Sequence, residues 1–202
     1  PPAYVQSRVD AENRFFDYCR ERGLPGVACC VGNTYGEGDV QPTPHGKLLR
    51  DVATGRMPFY WAGGGPTLNI HDAAEGMILA AEKGRIGERY ILGGPYVSFG
   101  ELFAMAARAA GRNPPRFKIP LPILYAGARV ADAIAKPLRI ENKFSVASLD
   151  CSACLPKVSS RKAIDELGWQ PGPPEQAVRE AVAWYLGVKR HGRLAGRSDI
   201  YA

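Results

Sequence analysis

The sequence predicts an α/β fold, and three observations carry that prediction. Residues 26–32, Gly-Val-Ala-Cys-Cys-Val-Gly, form a short apolar run of the kind shown by a strand buried on both faces of a parallel sheet. A second β-type run, Arg89–Gly93, follows after a helical stretch that starts near His71. Beyond it the chain is mostly helical. Strands alternating with helices define the class. Two parallel strands cannot cover a sheet by themselves, so the remainder of the sheet is expected in sequence preceding Pro1.

The elements follow in order. Residues 4–22 predict a helix, because Val5, Val9, Phe16 and Cys19 recur at near-helical spacing and Gly23 stops the run. Residues 32–46, rich in Gly, Pro, Asp and Asn, predict a loop, and 47–54 a short helix. Phe59–Trp61 and Thr67–Ile70 flank Gly63-Gly64-Gly65 as short strands or extended chain. Asp72 is the expected N-cap of a helix running to Glu82, ended by Gly84 and Gly87. Ser98 with Glu101 spells a capping box for a helix to about Ala110. Arg116–Ile119 reads as a short strand. Helices are expected over about 122–136, 159–167 and 174–188, the last opened by Pro173-Pro174. Leu121–Ile134 is apolar but interrupted by Arg129 and Asp132. It is too short to span a membrane and reads as a buried or lid-like helix.

Composition narrows the function classes. The 202 residues are 46% apolar and 23% charged, as in globular proteins. The net charge of +6 permits weak anion binding. Part of it sits in a C-terminal stretch, Lys189, Arg190, Arg193 and Arg197, which reads as a solvated end because no aromatic residues interleave to stack on bases. No nucleic-acid partner is expected. The five cysteines, with no secretory signal before them, fit a reducing, cytoplasmic setting. Cys151 and Cys154 have the spacing of a metal or redox pair, but no second pair or nearby His completes a zinc site, so no metal is expected. Cys29 and Cys30 read as strand core.

Motifs then point to a family. Tyr4-Val-Gln-Ser-Arg8 is similar to the Tyr-x-x-x-Lys helix of short-chain dehydrogenases/reductases, with Arg8 in place of Lys. Gly32-Asn-Thr-Tyr-Gly-Glu-Gly-Asp39 resembles the Asn-Val-Tyr-Gly-Pro-Gly-Asp loop of the extended branch. Asn69-Ile-His-Asp-Ala-Ala74 resembles its Val-x-Asp-Val-Ala helix start. Gly87-Glu-Arg-Tyr-Ile-Leu-Gly-Gly94 is similar to its Gly-Glu-Arg-Tyr-Ile-Leu-Gly-Gly strand, and Lys162-Ala163 with Leu167-Gly-Trp-Gln-Pro171 to its C-terminal motif. In this order they resemble the NAD-dependent epimerase/dehydratase group, nearest to dihydroflavonol 4-reductase-like members.

The resemblance implies the C-terminal part of a Rossmann-like doubly wound sheet with a smaller, mostly helical substrate domain. Residues 1–33 and 71–95 would belong to the nucleotide-binding part, and 34–70 and 96–202 to the substrate part. It implies NAD or NADP as cofactor, a small-molecule substrate with a hydroxyl or keto group (a nucleotide sugar included), and permits a homodimer. Tyr4 would be the acid/base and Arg8 its partner, both touching cofactor. Val31 and Gly32 would face the nicotinamide, Val31 replacing the usual Pro. Asn33, Thr34 and His45 would face the substrate, with a solvated loop histidine as the other reading of His45.

The chemistry needs such residues. A free phenol ionises near pH ~10, and a neighbouring cation favours the phenolate. Position i+4 sets Arg8 on the same helix face as Tyr4. Arginine cannot pass a proton through itself, so a non-catalytic, cofactor-binding relative is one alternative, and a cofactor-independent interaction module another. The glycine-rich phosphate loop and the family's catalytic Ser are expected before Pro1, and without them this chain alone would bind cofactor weakly.

Overall fold

The computed structural model describes residues 3–138, 146, 149–150 and 155–187. The Cys151/Cys154 pair and the basic stretch from Lys189 onward lie outside the described residues. Helix α1 (Ala3–Arg22) leads through Gly23, at φ 65°, into β1 (Ala28–Val31) and β2 (Asn33–Tyr35). Then come α2 (Pro44–Ala53), β3 (Phe59–Trp61), β4 (Gly64–Asn69) and α3 (Ile70–Lys83). β5 (Arg89–Leu92), β6 (Tyr96–Ser98), α4 (Phe99–Ala109), β7 (Phe117–Ile119) and α5 (Leu121–Leu138) follow. Helices α6 (Arg161–Leu167) and α7 (Pro174–Tyr185) complete the described chain.

The α/β expectation holds, with β1 and β5 as parallel neighbours, Ala28 opposite Arg89 through Val31 opposite Leu92. β4 lies between parallel β2 and antiparallel β6, and β3 pairs with β7. Three details differ from expectation. β1 is half-buried rather than buried on both faces, because among the described residues it pairs with β5 alone; Val31 is 40% exposed. β2 and β6, three residues each, carry no periodicity that a sequence could display. In α5, Leu124 and Ala128 are buried while Ile123 and Val130 face outward, so the helix is one-sided, not buried. No helix among the described residues is long and apolar enough to cross a membrane.

Two cores form. In one, Trp61, Phe99 and Phe103 stack with centroids 5.1–5.8 Å apart, joined by Leu49, Val52, Val178 and Val182 from α2 and α7. In the other, Trp169 and Leu167 pack with Tyr90 and Leu92 of β5, Leu68 of β4, and Ala73 and Ala80 of α3. Here two sequence motifs meet. Tyr90 donates to Glu166 (2.7 Å), Lys162 pairs with Glu88 (2.7 Å), and Ser160 Oγ bridges the amide and carbonyl of Gly93 at 2.9 and 2.7 Å. α6 ends at Gly168 in the left-handed region (φ 72°), which turns Trp169 back into the core.

The capping box at Ser98 and Glu101 is present. Asp72 is not an N-cap. β4 runs into α3 without a loop, so its last residue, Asn69, takes the cap and accepts from His71 N at 2.9 Å. Asp72 stands a turn further on and accepts from Gly172 N at 2.8 Å. Buried Asn69 also donates to Glu180 of α7 at 2.8 Å. Asn69→Ala is expected to cost about 2–3 kcal/mol, combining a lost cap with a buried carboxylate short of a donor. Urea unfolding checks it: a midpoint within error of the unaltered protein would exclude this role.

Candidate functional site

Helix α1 positions the first pair of residues. Its C-terminal half is held to the sheet: Phe15 and Cys19 crowd Gly26, where a Cβ would come within 2.7 Å of them, and Glu12 pairs with Arg89 at 2.7 Å. Residues 15 and 19 thus meet Gly26, just before β1, and residue 12 meets Arg89, which lies opposite Ala28, so helix and strand run antiparallel. From Glu12 to Tyr4 the helix rises about 12 Å, and from Ala28 to Val31 the strand advances about 10 Å. Tyr4 therefore lies toward the carboxyl end of β1, the end where α/β sheets bind ligands.

At that end Tyr4 is 57% exposed. Arg8 Nη2 donates to its phenolic oxygen at 3.1 Å, and the guanidinium carbon lies 5.1 Å from its ring centroid. The i+4 pairing is thus made. Two tyrosines elsewhere are shifted by their surroundings. Tyr35, buried in β2, is pushed up by burial. Tyr185 is pushed up by burial and by its hydrogen bond to Asp39. Both hold their protons, which unsuits them for a base near neutrality.

The second group is contiguous. Gly32 N donates to Leu92 O at 2.9 Å, joining the carboxyl ends of β1 and β5. A Cβ at Gly32 would stand 3.3 Å from Pro66 and 3.4 Å from Gly93, so exposed Val31 is followed by a wall with no side chain of its own. Asn33 opens β2 opposite Thr67, and Thr34 sits opposite Leu68; both are half-buried. The Asn33 amide makes no hydrogen bond among the described residues. Sequence reading missed its neighbours Gly65 and Leu155. The Gly63–Gly65 run was the available signal, since glycine inside a strand marks close approach.

His45 is not a solvated loop residue. Helix α2 begins three residues earlier than expected, at Pro44, with Thr43 capping Gly46 N, so His45 falls in its first turn. It is half-buried, its Nδ1 is buried without a hydrogen-bond partner, and burial holds its pKa below the ordinary histidine value. The unfolded chain takes up this proton near pH ~6.5 and the folded chain resists it, so the neutral imidazole's contribution is intact above that pH and lost as pH falls. The Tm difference between the unaltered protein and His45→Gln is expected to narrow between about pH 7.5 and 5. A constant difference would show that His45 is not the group involved. Cys29 and Cys30 are free, with burial raising both thiols. No group of three or more metal-type ligands occurs among the described residues.

No protein-family model matches the chain. A dihydroflavonol 4-reductase-like protein of Synechocystis is 28% identical over 194 residues, covering 94% of this chain and 55% of that protein. The crystal structure of gox2253 superposes with a TM-score of 0.75 at 38% identity, covering 94% of this chain and 57% of that one. A nucleoside-diphosphate-sugar epimerase from Pseudomonas aeruginosa superposes at 0.72 and 26% identity, covering 93% and 56%. Structures of the same fold at 14–16% identity contain NADPH or NAD. The chain spans about half the length of the proteins it matches.

Proposed function

We infer that this chain, a relative of the extended short-chain dehydrogenases/reductases that matches about half their length, supplies the acid/base helix and the substrate side of an NAD(P)-dependent oxidoreductase or epimerase. The observation that carries the reading is the guanidinium of Arg8 donating to the exposed oxygen of Tyr4. Tyr4, Arg8, Val31 and Gly32 would line the cofactor. The side-chain-free wall at Gly32 fits a flat ring, and the exposed Arg8 fork fits ribose hydroxyls. The cofactor, when bound, supplies the hydride acceptor or donor. Tyr4 Oη takes the proton of a substrate hydroxyl in oxidation and returns it to the alkoxide in reduction. Arg8 stabilises the charge on that oxygen and does not itself relay the proton.

Asn33, Thr34 and His45 are assigned to the substrate, a small hydroxyl- or keto-bearing molecule or nucleotide sugar, with no nucleic-acid partner and a homodimer as the allowed assembly. The free thiols of Cys19, Cys29 and Cys30 fit the cytoplasm. We assign residues 1–33 and 71–95 to the nucleotide-binding part and the rest to the substrate part. Arg8 in place of Lys favours one second reading, a relative that binds cofactor without turnover. Titrating NADH and NADPH by calorimetry into a protein of the relatives' length, then assaying UDP-glucose and dihydroquercetin for turnover, separates the cases. No cofactor binding would refute both readings, and binding without turnover would favour the second.

A further inference from the structure

We propose that Gly65 is a positioning residue of the substrate site, its missing side chain holding the Asn33 amide in the orientation that meets a substrate hydroxyl or keto oxygen. The inference rests on the assignment of Asn33 to the substrate. Gly65 lies in β4, beside the β2 strand that Asn33 opens. A methyl group there would stand 2.7 Å from Asn33 Nδ2 and 3.0 Å from a Leu155 methyl. The first of these separations is shorter than packed atoms tolerate. Both neighbours are ends of side chains and not backbone, so they would swing aside while the strand kept its place. Gly65 is absent from the glycines with positive φ, so alanine fits its backbone. Glycine is thus not required here by conformation. What it secures is the room the amide occupies.

The surroundings define the chemistry of the notch. Asn33 presents an amide with no protein partner among the described residues, and Leu155 contributes an apolar wall beside it, the two meeting over Gly65. A neutral oxygen bound by the amide, with a carbon skeleton against Leu155, matches this lining. A displaced amide loses its hydrogen bond to that oxygen and also obstructs the notch.

The test compares Gly65→Ala, Asn33→Ala and the double variant in a protein of the relatives' length, with UDP-glucose and dihydroquercetin as probes. Gly65→Ala is expected to lower kcat/KM about tenfold through KM for the probe, as loss of one neutral hydrogen bond does, with KM for the cofactor unchanged. The double variant should match Asn33→Ala alone, because the methyl group has no amide left to displace. Should Gly65→Ala fold poorly, the double variant is expected to recover its Tm for the same reason, and its kcat/KM still matches Asn33→Ala. Gly65→Ala at full activity, additive losses in the double variant, or a rise in cofactor KM would overturn the proposal while leaving Asn33 in the site. An Asn33→Ala protein at full activity, or no turnover of either probe by the unaltered protein, would overturn the site reading and the proposal with it.

Discussion

Tyr4→Phe is expected to lower kcat by about 10²–10⁴-fold, the range for removing a group that transfers a proton in the rate-limiting chemistry. The exposed oxygen and its Arg8 donor are lost, whereas the ring that Arg8 overlies stays. Folding should therefore be little changed, and cofactor binding should fall far less than turnover. Arg8→Met keeps a long side chain but removes the charge and the donor, and is expected to cost about tenfold. Arg8→Lys returns a cation to the same helical position and should retain activity. Steady-state kinetics of the three variants, each made in a protein of the relatives' length and assayed at saturating cofactor, make the measurement. Tyr4→Phe with unchanged kcat would remove the acid/base assignment, and equal activity of Arg8→Met and Arg8→Lys would show that charge at this position is irrelevant.

The largest stability effect is expected at Trp169. Its side chain is fully buried among Leu68, Ala73, Tyr90, Leu92 and Leu167, and its indole nitrogen donates to Asp72 O at 2.8 Å. Trp169→Ala should destabilise by about 3–5 kcal/mol through a large cavity and an orphaned carbonyl. Trp169→Phe refills much of the cavity but still lacks the donor, so it should lie between. Because this tryptophan joins α6 to β5 and α3, the loss should appear as faster proteolysis of the 155–172 segment as well as a lower unfolding midpoint. Equal midpoints for the three proteins would contradict the packing role.

Much of this was legible from local pattern. The helix at α1 and its stop at Gly23 follow from spacing and a glycine at φ 65°. The capping box at Ser98 follows from four residues of sequence. The Tyr4–Arg8 contact follows from helical geometry alone, since i and i+4 share a face whatever surrounds them. Such features are local, and a sequence determines them.

Other features wait on contacts between residues far apart in the chain. Asp72 sits where a cap is expected, yet Asn69 caps, because β4 enters α3 without a turn and Asp72 is taken by Gly172, 100 residues away. His45 reads as loop until the cap at Thr43 brings it into α2 and partial burial sets its proton affinity. Gly65 acquires meaning only from Asn33 beside it, and the motifs at 87–94 and 160–171 prove to be partners in one core. Backbone periodicity suffices for the α/β class, for most of the described helices and for the contact between Tyr4 and Arg8, and these were legible in the sequence. The cap at Asn69, the half-buried state of His45 and the close approach of Gly65 to Asn33 came only with the folded chain, because burial and close approach arise when distant segments compete for the same space.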